Sequence, residues 1–121
     1  MTKAATATEI PPIIPRPAVE RFAALMEEVL RQNDHKGGWE REGKAWLLWR
    51  ALDEFAELLR VATNTSHGYL VAGMVSMAAR ELMDGDVKFN AANGVEAVRG
   101  EIADVANFLM MLHDRLPKET R

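Results

Sequence analysis

Between residues 101 and 112 the chain reads EIADVANFLMML, and its polar side chains there are Glu101, Asp104 and Asn107, spaced three apart. Helical positions three apart lie about 60° from one another, so these three line one strip that drifts slowly round the axis. Ile102, Val105, Phe108 and Met111 flank it. A carboxylate buried among such neighbours must be paired, protonated or bound to a metal. Glu54 and Glu57 repeat the spacing further upstream, with Asp53 beside them and Arg50 one turn before Glu54. One E-x-x-E on a helix reads as a hydrated face. Two acidic pairs on separate helices allow a second reading, in which the helices face each other and four carboxylates share a cleft. Hard divalent ions with oxygen ligands, Mg²⁺ or Mn²⁺, would then offset the repulsion.

Other metal chemistries lack their residues. A ferritin-like di-iron site needs Glu-x-x-His, and none of His35, His67 and His113 follows a Glu by three. The zinc motif H-E-x-x-H is absent, and without cysteine there is neither a thiolate site nor a disulfide. His67 reads as a turn residue and His113 as a surface or interface residue. Gly38, Gly43 and Lys44 match the spacing of a phosphate-cradling loop, but Ala45 stands where Ser or Thr must bind magnesium and no strand precedes it. Lys36-Gly37-Gly38-Trp39 offers a different use. Trp39 could stack a base and Lys36 could meet phosphate, beside two glycines that allow close backbone approach; the alternative is an ordinary loop with Trp39 folded onto the core. Of Trp46 and Trp49, one reads as core and the other as a wall of the same pocket.

Four helices must position these residues. Residues 1–17 form an extended, proline-rich N-terminal arm, with prolines at 11, 12, 15 and 17. It is either a tail or an arm laid over a neighbouring subunit, with Ile13 and Ile14 as anchors. The expected domain is 18–117, followed by a short tail at 118–121. Its first helix presents Val19, Phe22, Ala23, Met26, Val29 and Leu30 on one face. A second is expected over 44–62 with Leu48, Leu52, Phe55 and Leu59 inward, then a turn over 63–68. A third, over 69–83, is apolar almost all round. A loop over 84–94 leads to the last helix, 95–116, with a seam of Val98, Ile102, Val105, Leu109, Leu112 and Leu116 that stops before Pro117. No strand alternation occurs, so the fold class is all-α, a four-helix bundle. Two helices with such wide apolar surfaces in a small chain imply packing against another subunit.

Composition narrows the partners. A net charge of −3 and a pI near 5.6 oppose a nucleic-acid backbone binder. The longest near-apolar run, 69–79, is shorter than the roughly 20 residues a bilayer requires. With no apolar leader and no cysteine, a cytoplasmic location is the expectation.

Taken together, H-K-G-G-W at 35–39, R-A-L-D-E-F-A-E-L at 50–58 and E-I-A-D-V-A-N-F-L-M-M-L at 101–112 resemble the MazG-like all-α nucleoside triphosphate pyrophosphohydrolases, especially small phage-type members. The likeness runs from Asp34 to Leu116 and extends to the MazZ subset, which is linked to 2-aminoadenine genomes and acts on guanine nucleotides. It implies a homo-oligomer, dimer or tetramer, in the host cytoplasm if phage-encoded. Glu54, Glu57, Glu101 and Asp104 would be ligands for two or three Mg²⁺ or Mn²⁺ ions. The implied reaction cleaves between the α and β phosphates of a (d)NTP, a purine nucleotide with (d)GTP as first candidate. Family members often open the first motif with two glutamates; here Asp53 precedes Glu54, which places Asp53 outside the ligand set. In that chemistry Glu57, with Glu54, is the catalytic carboxylate that takes the proton from water. Lys36, Lys44 and Arg50 are candidates for phosphate charge, and Asn107 for a ligand carboxylate or a sugar hydroxyl. The alternatives are a non-catalytic helical interaction module and the same fold acting on a phosphoribosyl-nucleotide.

Overall fold

The computed structural model describes residues 11–84 and 90–117; most of the expected arm, the middle of the 84–94 loop and the 118–121 tail lie outside the described residues. Every regular element among the described residues is helical. No helix among them is long and apolar enough to cross a membrane. The elements are α1 (Pro17–Gln32), a single 3₁₀ turn (Asp34–Lys36), α2 (Lys44–Thr63), α3 (Ser66–Asp84) and α4 (Val95–Arg115).

Residues 11–16 stay outside any helix, and Arg16 has φ −68° and ψ 156°, the polyproline geometry that its proline neighbours impose. Helix α1 opens on Pro17, where the missing N–H costs nothing. It closes at Asn33, whose side-chain amide donates to the Val29 carbonyl at 3.0 Å. Helix α4 follows a turn in which the Gly94 N–H donates to the Ala91 carbonyl at 2.8 Å, with Gly94 at φ 99°. It ends two residues before Pro117.

The chain divides into two compact units, one made of residues up to Gly37 together with Glu96 onward, the other of Gly38–Val95. The second unit is the α2–α3 hairpin. Its junction is tighter than the expected six-residue turn, because Ser66, His67 and Gly68 already belong to α3. Two local devices shorten it. Asn64 ends α2 in the left-handed conformation at φ 46°, and the Thr65 hydroxyl accepts the Gly68 N–H at 3.0 Å, which caps α3. Gly68 is required by space: a Cβ there would lie 1.8 Å from Thr63 Oγ1. His67 is therefore an exposed residue of the first helical turn.

Ala56 of α2 and Ala72 and Ala79 of α3 are fully buried. Small side chains at these positions let the two backbones approach closely, and the larger residues fall to the rim of the contact. Leu52 and Leu59 are half-buried, whereas Leu48 and Phe55, expected inward, are exposed.

In the first unit, an ion pair and a ring contact tie α1 to α4. Arg21 Nη2 donates to Asp114 Oδ1 at 2.7 Å, and the Phe22 ring lies 5.5 Å from the His113 ring at an interplanar angle of 59°. Neither helix buries a residue fully. Val19, Phe22, Val98 and Leu109 are half-buried, while Met26, Ile102, Val105, Leu112 and Leu116 of the expected seams are exposed.

Candidate functional site

On α2 the intervals of four, three and three residues bring Arg50, Glu54, Glu57 and Arg60 onto one strip. Arg50 donates from Nη1 to Asp53 Oδ2 and from Nη2 to Glu54 Oε2, each at 2.9 Å. Its guanidinium carbon lies 5.6 Å from the centroid of the Trp49 ring, and Trp49 meets Trp46 edge-on at 6.1 Å. The Trp49 Nε1 is buried without a hydrogen-bond partner, as is the Nδ1 of His113. At the other end of the strip Arg60 donates to Glu57 Oε1 at 2.7 Å and reaches Ser76 Oγ on α3 at 3.4 Å. Both glutamates nevertheless keep most of their side-chain surface in contact with solvent, 67% for Glu54 and 63% for Glu57. Arg60 and Ser76 were not among the expected site residues, although E-x-x-R at 57–60 carries the spacing of an intrahelical ion pair.

The α4 strip differs. Glu101, Asp104 and Asn107 are exposed, and among the described residues neither carboxylate takes part in an ion pair. One turn earlier Glu96 is held by Arg99. The apolar flanks of the strip face solvent as well, with Phe108 71% exposed. These carboxylates are thus hydrated, not enclosed among apolar side chains.

The expected binding loop takes a defined shape. Lys36 ends the 3₁₀ turn, Gly37 adopts φ 88°, a value that favours glycine, and Trp39 is exposed instead of folding onto the core. The Glu42 N–H donates to the Trp39 carbonyl at 3.0 Å, closing a turn that leads into α2. Gly43 caps α2 and Lys44 opens it, exposed. No strand precedes this segment among the described residues, in keeping with the rejection of a phosphate-cradling loop.

The expected site residues are shared between the two units. Lys36, Gly37, Glu101, Asp104 and Asn107 belong to the first; Gly38, Trp39, Lys44, Arg50, Glu54 and Glu57 belong to the second. Among the described residues of either unit by itself, no three acidic or histidine side chains gather as a metal-binding group. The donor set still suits a hard divalent ion: every expected ligand is a carboxylate oxygen, exposed, and paired at i, i+3 on a helix. No family model matches this chain, and neither a curated protein nor a solved structure matches it.

Proposed function

We propose that the chain is a metal-dependent phosphoanhydride hydrolase working as a homo-oligomer. More narrowly, it would be a nucleoside triphosphate pyrophosphohydrolase that converts a (d)NTP and water to a (d)NMP and diphosphate, with a purine nucleotide, (d)GTP first, as substrate. The observation that carries this reading is the duplication of an exposed i, i+3 carboxylate pair, Glu54 with Glu57 and Glu101 with Asp104, on two separate helices. The resemblance at 35–39, 50–58 and 101–112 supplies the reaction.

Glu54, Glu57, Glu101 and Asp104 would hold two or three Mg²⁺ or Mn²⁺ ions. When bound, these supply neutralisation of the triphosphate charge and an acidified water. The chain's own groups do the rest. Glu57 accepts the proton of the attacking water as the bond between the α-phosphorus and its bridging oxygen breaks and diphosphate leaves. Lys36, Lys44 and Arg50 meet phosphate oxygens, the exposed Trp39 ring stacks the base, and Asn107 bonds a ligand carboxylate or a sugar hydroxyl. Homo-oligomerisation is supported by large apolar side chains left uncovered on both units, including Met74 and Met77 of α3 and Ile102, Val105 and Phe108 of α4.

The test is release of diphosphate from a panel of (d)NTPs and phosphoribosyl-nucleotides with Mg²⁺ or Mn²⁺. Glu54→Gln and Asp104→Asn should each lower the rate at least about 100-fold while leaving helicity unchanged, since each removes an anionic ligand. Inorganic phosphate as the sole product would exclude cleavage between α and β. One observation favours a second reading, the non-catalytic helical module: Glu54 and Glu57 already have arginine partners, as on an ordinary solvated face. Thermal melting with and without Mn²⁺ separates the two, because an ion bound by the folded state raises Tm and a module without a site gains nothing.

A further inference from the structure

The α2 carboxylates that the proposed function gives to a divalent ion are bound to the chain's own cations, and each of those cations has a second anchor. Arg50 holds Asp53 and Glu54 while its guanidinium also lies over the Trp49 ring. Arg60 holds Glu57 while its other terminal nitrogen reaches Ser76 Oγ on the neighbouring helix. A metal ion would compete for the first anchor of each arginine and for neither of the second ones.

The competition follows from charge and from lone pairs. A carboxylate oxygen that accepts a guanidinium hydrogen bond has less capacity left for a metal, and a divalent ion seated there would repel the guanidinium beside it. Glu54 and Glu57 are 67% and 63% exposed, so a solvated ion reaches them, while the arginine side chains, 37% and 34% exposed, stay packed on their second anchors. Once off the glutamates, the guanidinium groups remain beside the site, one on the Trp49 face and one at Ser76. Arg50 keeps Asp53, which lies outside the ligand set, through Nη1; its Nη2 and the Nη1 of Arg60 are then free for an anion, and phosphate oxygens accept such donors.

From this arrangement we infer that Arg50 and Arg60 are exchangeable counter-ions: they hold the α2 carboxylates in the metal-free protein, yield them to the divalent ion, and turn to the phosphate oxygens of the substrate. The inference rests on the metal-dependent reading above and adds Arg60 to the substrate-facing residues. It also frees Glu57 Oε1, the oxygen that Arg60 holds.

The experiment measures Mn²⁺ binding by the full chain, following free Mn²⁺ by electron paramagnetic resonance, for wild type, Arg50→Gln and Arg60→Gln. Binding of inorganic triphosphate to the Mn²⁺-loaded proteins is measured alongside. Each variant should bind Mn²⁺ about two- to fivefold more tightly at low salt, the amount an exposed ion pair can withhold. Each should bind triphosphate about tenfold more weakly, the loss of a charged hydrogen bond. These effects have opposite signs, which a merely structural ion pair would not produce. Arg50→Lys and Arg60→Lys keep the charge without the fork: they should restore wild-type Mn²⁺ affinity but not triphosphate affinity, while Arg50→Met and Arg60→Met stand in for any glutamine variant that loses helicity. If wild type binds Mn²⁺ and the charge-removing variants bind it equally or less well, the exchange is overturned and the metal reading stands. If triphosphate affinity is unchanged, the phosphate role is overturned. If neither wild type nor variants bind Mn²⁺, the metal reading falls and takes the exchange with it.

Discussion

The α2–α3 hairpin and the α1–α4 pair each consist of two helices, yet they are held by different means. The hairpin has a seam of fully buried alanines and a capped two-residue turn. Among the described residues, helices α1 and α4 meet through the Arg21–Asp114 ion pair and the Phe22–His113 ring contact, and neither helix buries a residue fully. Chain distance separates them too. The α2–α3 contact from Arg60 to Ser76 spans 16 residues, and the α1–α4 contact from Arg21 to Asp114 spans 93. Closing the longer loop costs about 1.6 kcal/mol more in chain entropy. The acidic strips follow the same division: arginines within the hairpin neutralise the α2 pair, while the α4 pair is left to solvent or to an ion. A unit held by short-range contacts and one held across a long stretch of chain therefore coexist, and each contributes half of the proposed ligand set.

The largest effect should come from enlarging a side chain in the hairpin seam. Ala72 is fully buried against α2, so Ala72→Leu should cost about 1–3 kcal/mol by overpacking, seen as a lower urea midpoint. The matching change on α4, Ala106→Leu at a position exposed in the single chain, should stay within about 0.5 kcal/mol when the protein is diluted to monomer. Equal losses would break the contrast, since they would mean that the α4 face is covered in solution. Light scattering would then establish whether a second copy covers it.

Next comes the turn itself. Thr65→Ala removes the acceptor of the Gly68 N–H at a helix start, where a lost cap costs about 1 kcal/mol. Hydrogen exchange should show the first turn of α3 losing protection before the rest of the hairpin. Thr65→Ser keeps the hydroxyl and should retain most of the stability. A silent Thr65→Ala would mean that the hairpin relies on its alanine seam alone.

This turn also marks a limit of what could be read from the residues. The four helices were legible to within a few residues at each end, because apolar periodicity, Pro17, Gly94 and Pro117 are local signals. Ser66, His67 and Gly68 look like turn formers, but the left-handed Asn64 and the Thr65 cap start the helix before them, and the approach of Gly68 to Thr63 requires its glycine. Periodicity likewise finds the apolar stripe of α2 without saying which member lies at closest approach. Leu48 and Phe55 were reasonable expectations from size, but the closest contact needs a residue as small as Ala56. Each carboxylate pair was visible from its spacing, whereas the Glu57–Arg60 pair, which carries the same spacing, was missed. Convergence of the two pairs is a long-range property that spacing along either helix leaves open, so it enters only through the proposed function.

The smallest effect, and the sharpest measure of the weaker unit, concerns Arg21 and Asp114. Their side chains are 47% and 36% exposed, so the direct coupling should be about 0.2–1 kcal/mol and should shrink as salt is added. Single substitutions would mislead, because Asp114 makes a further interaction beyond Arg21. Asp114→Ala should therefore destabilise more than Arg21→Ala. A double-mutant cycle removes the excess and leaves the pairwise energy. A coupling within that range, falling with salt, would match a lightly held α1–α4 pair in which the Phe22–His113 contact shares the load. A coupling well above 1 kcal/mol that resists salt would show that the pair is shielded from solvent in the assembled protein, and the contrast between the two units would then hold for the isolated chain alone.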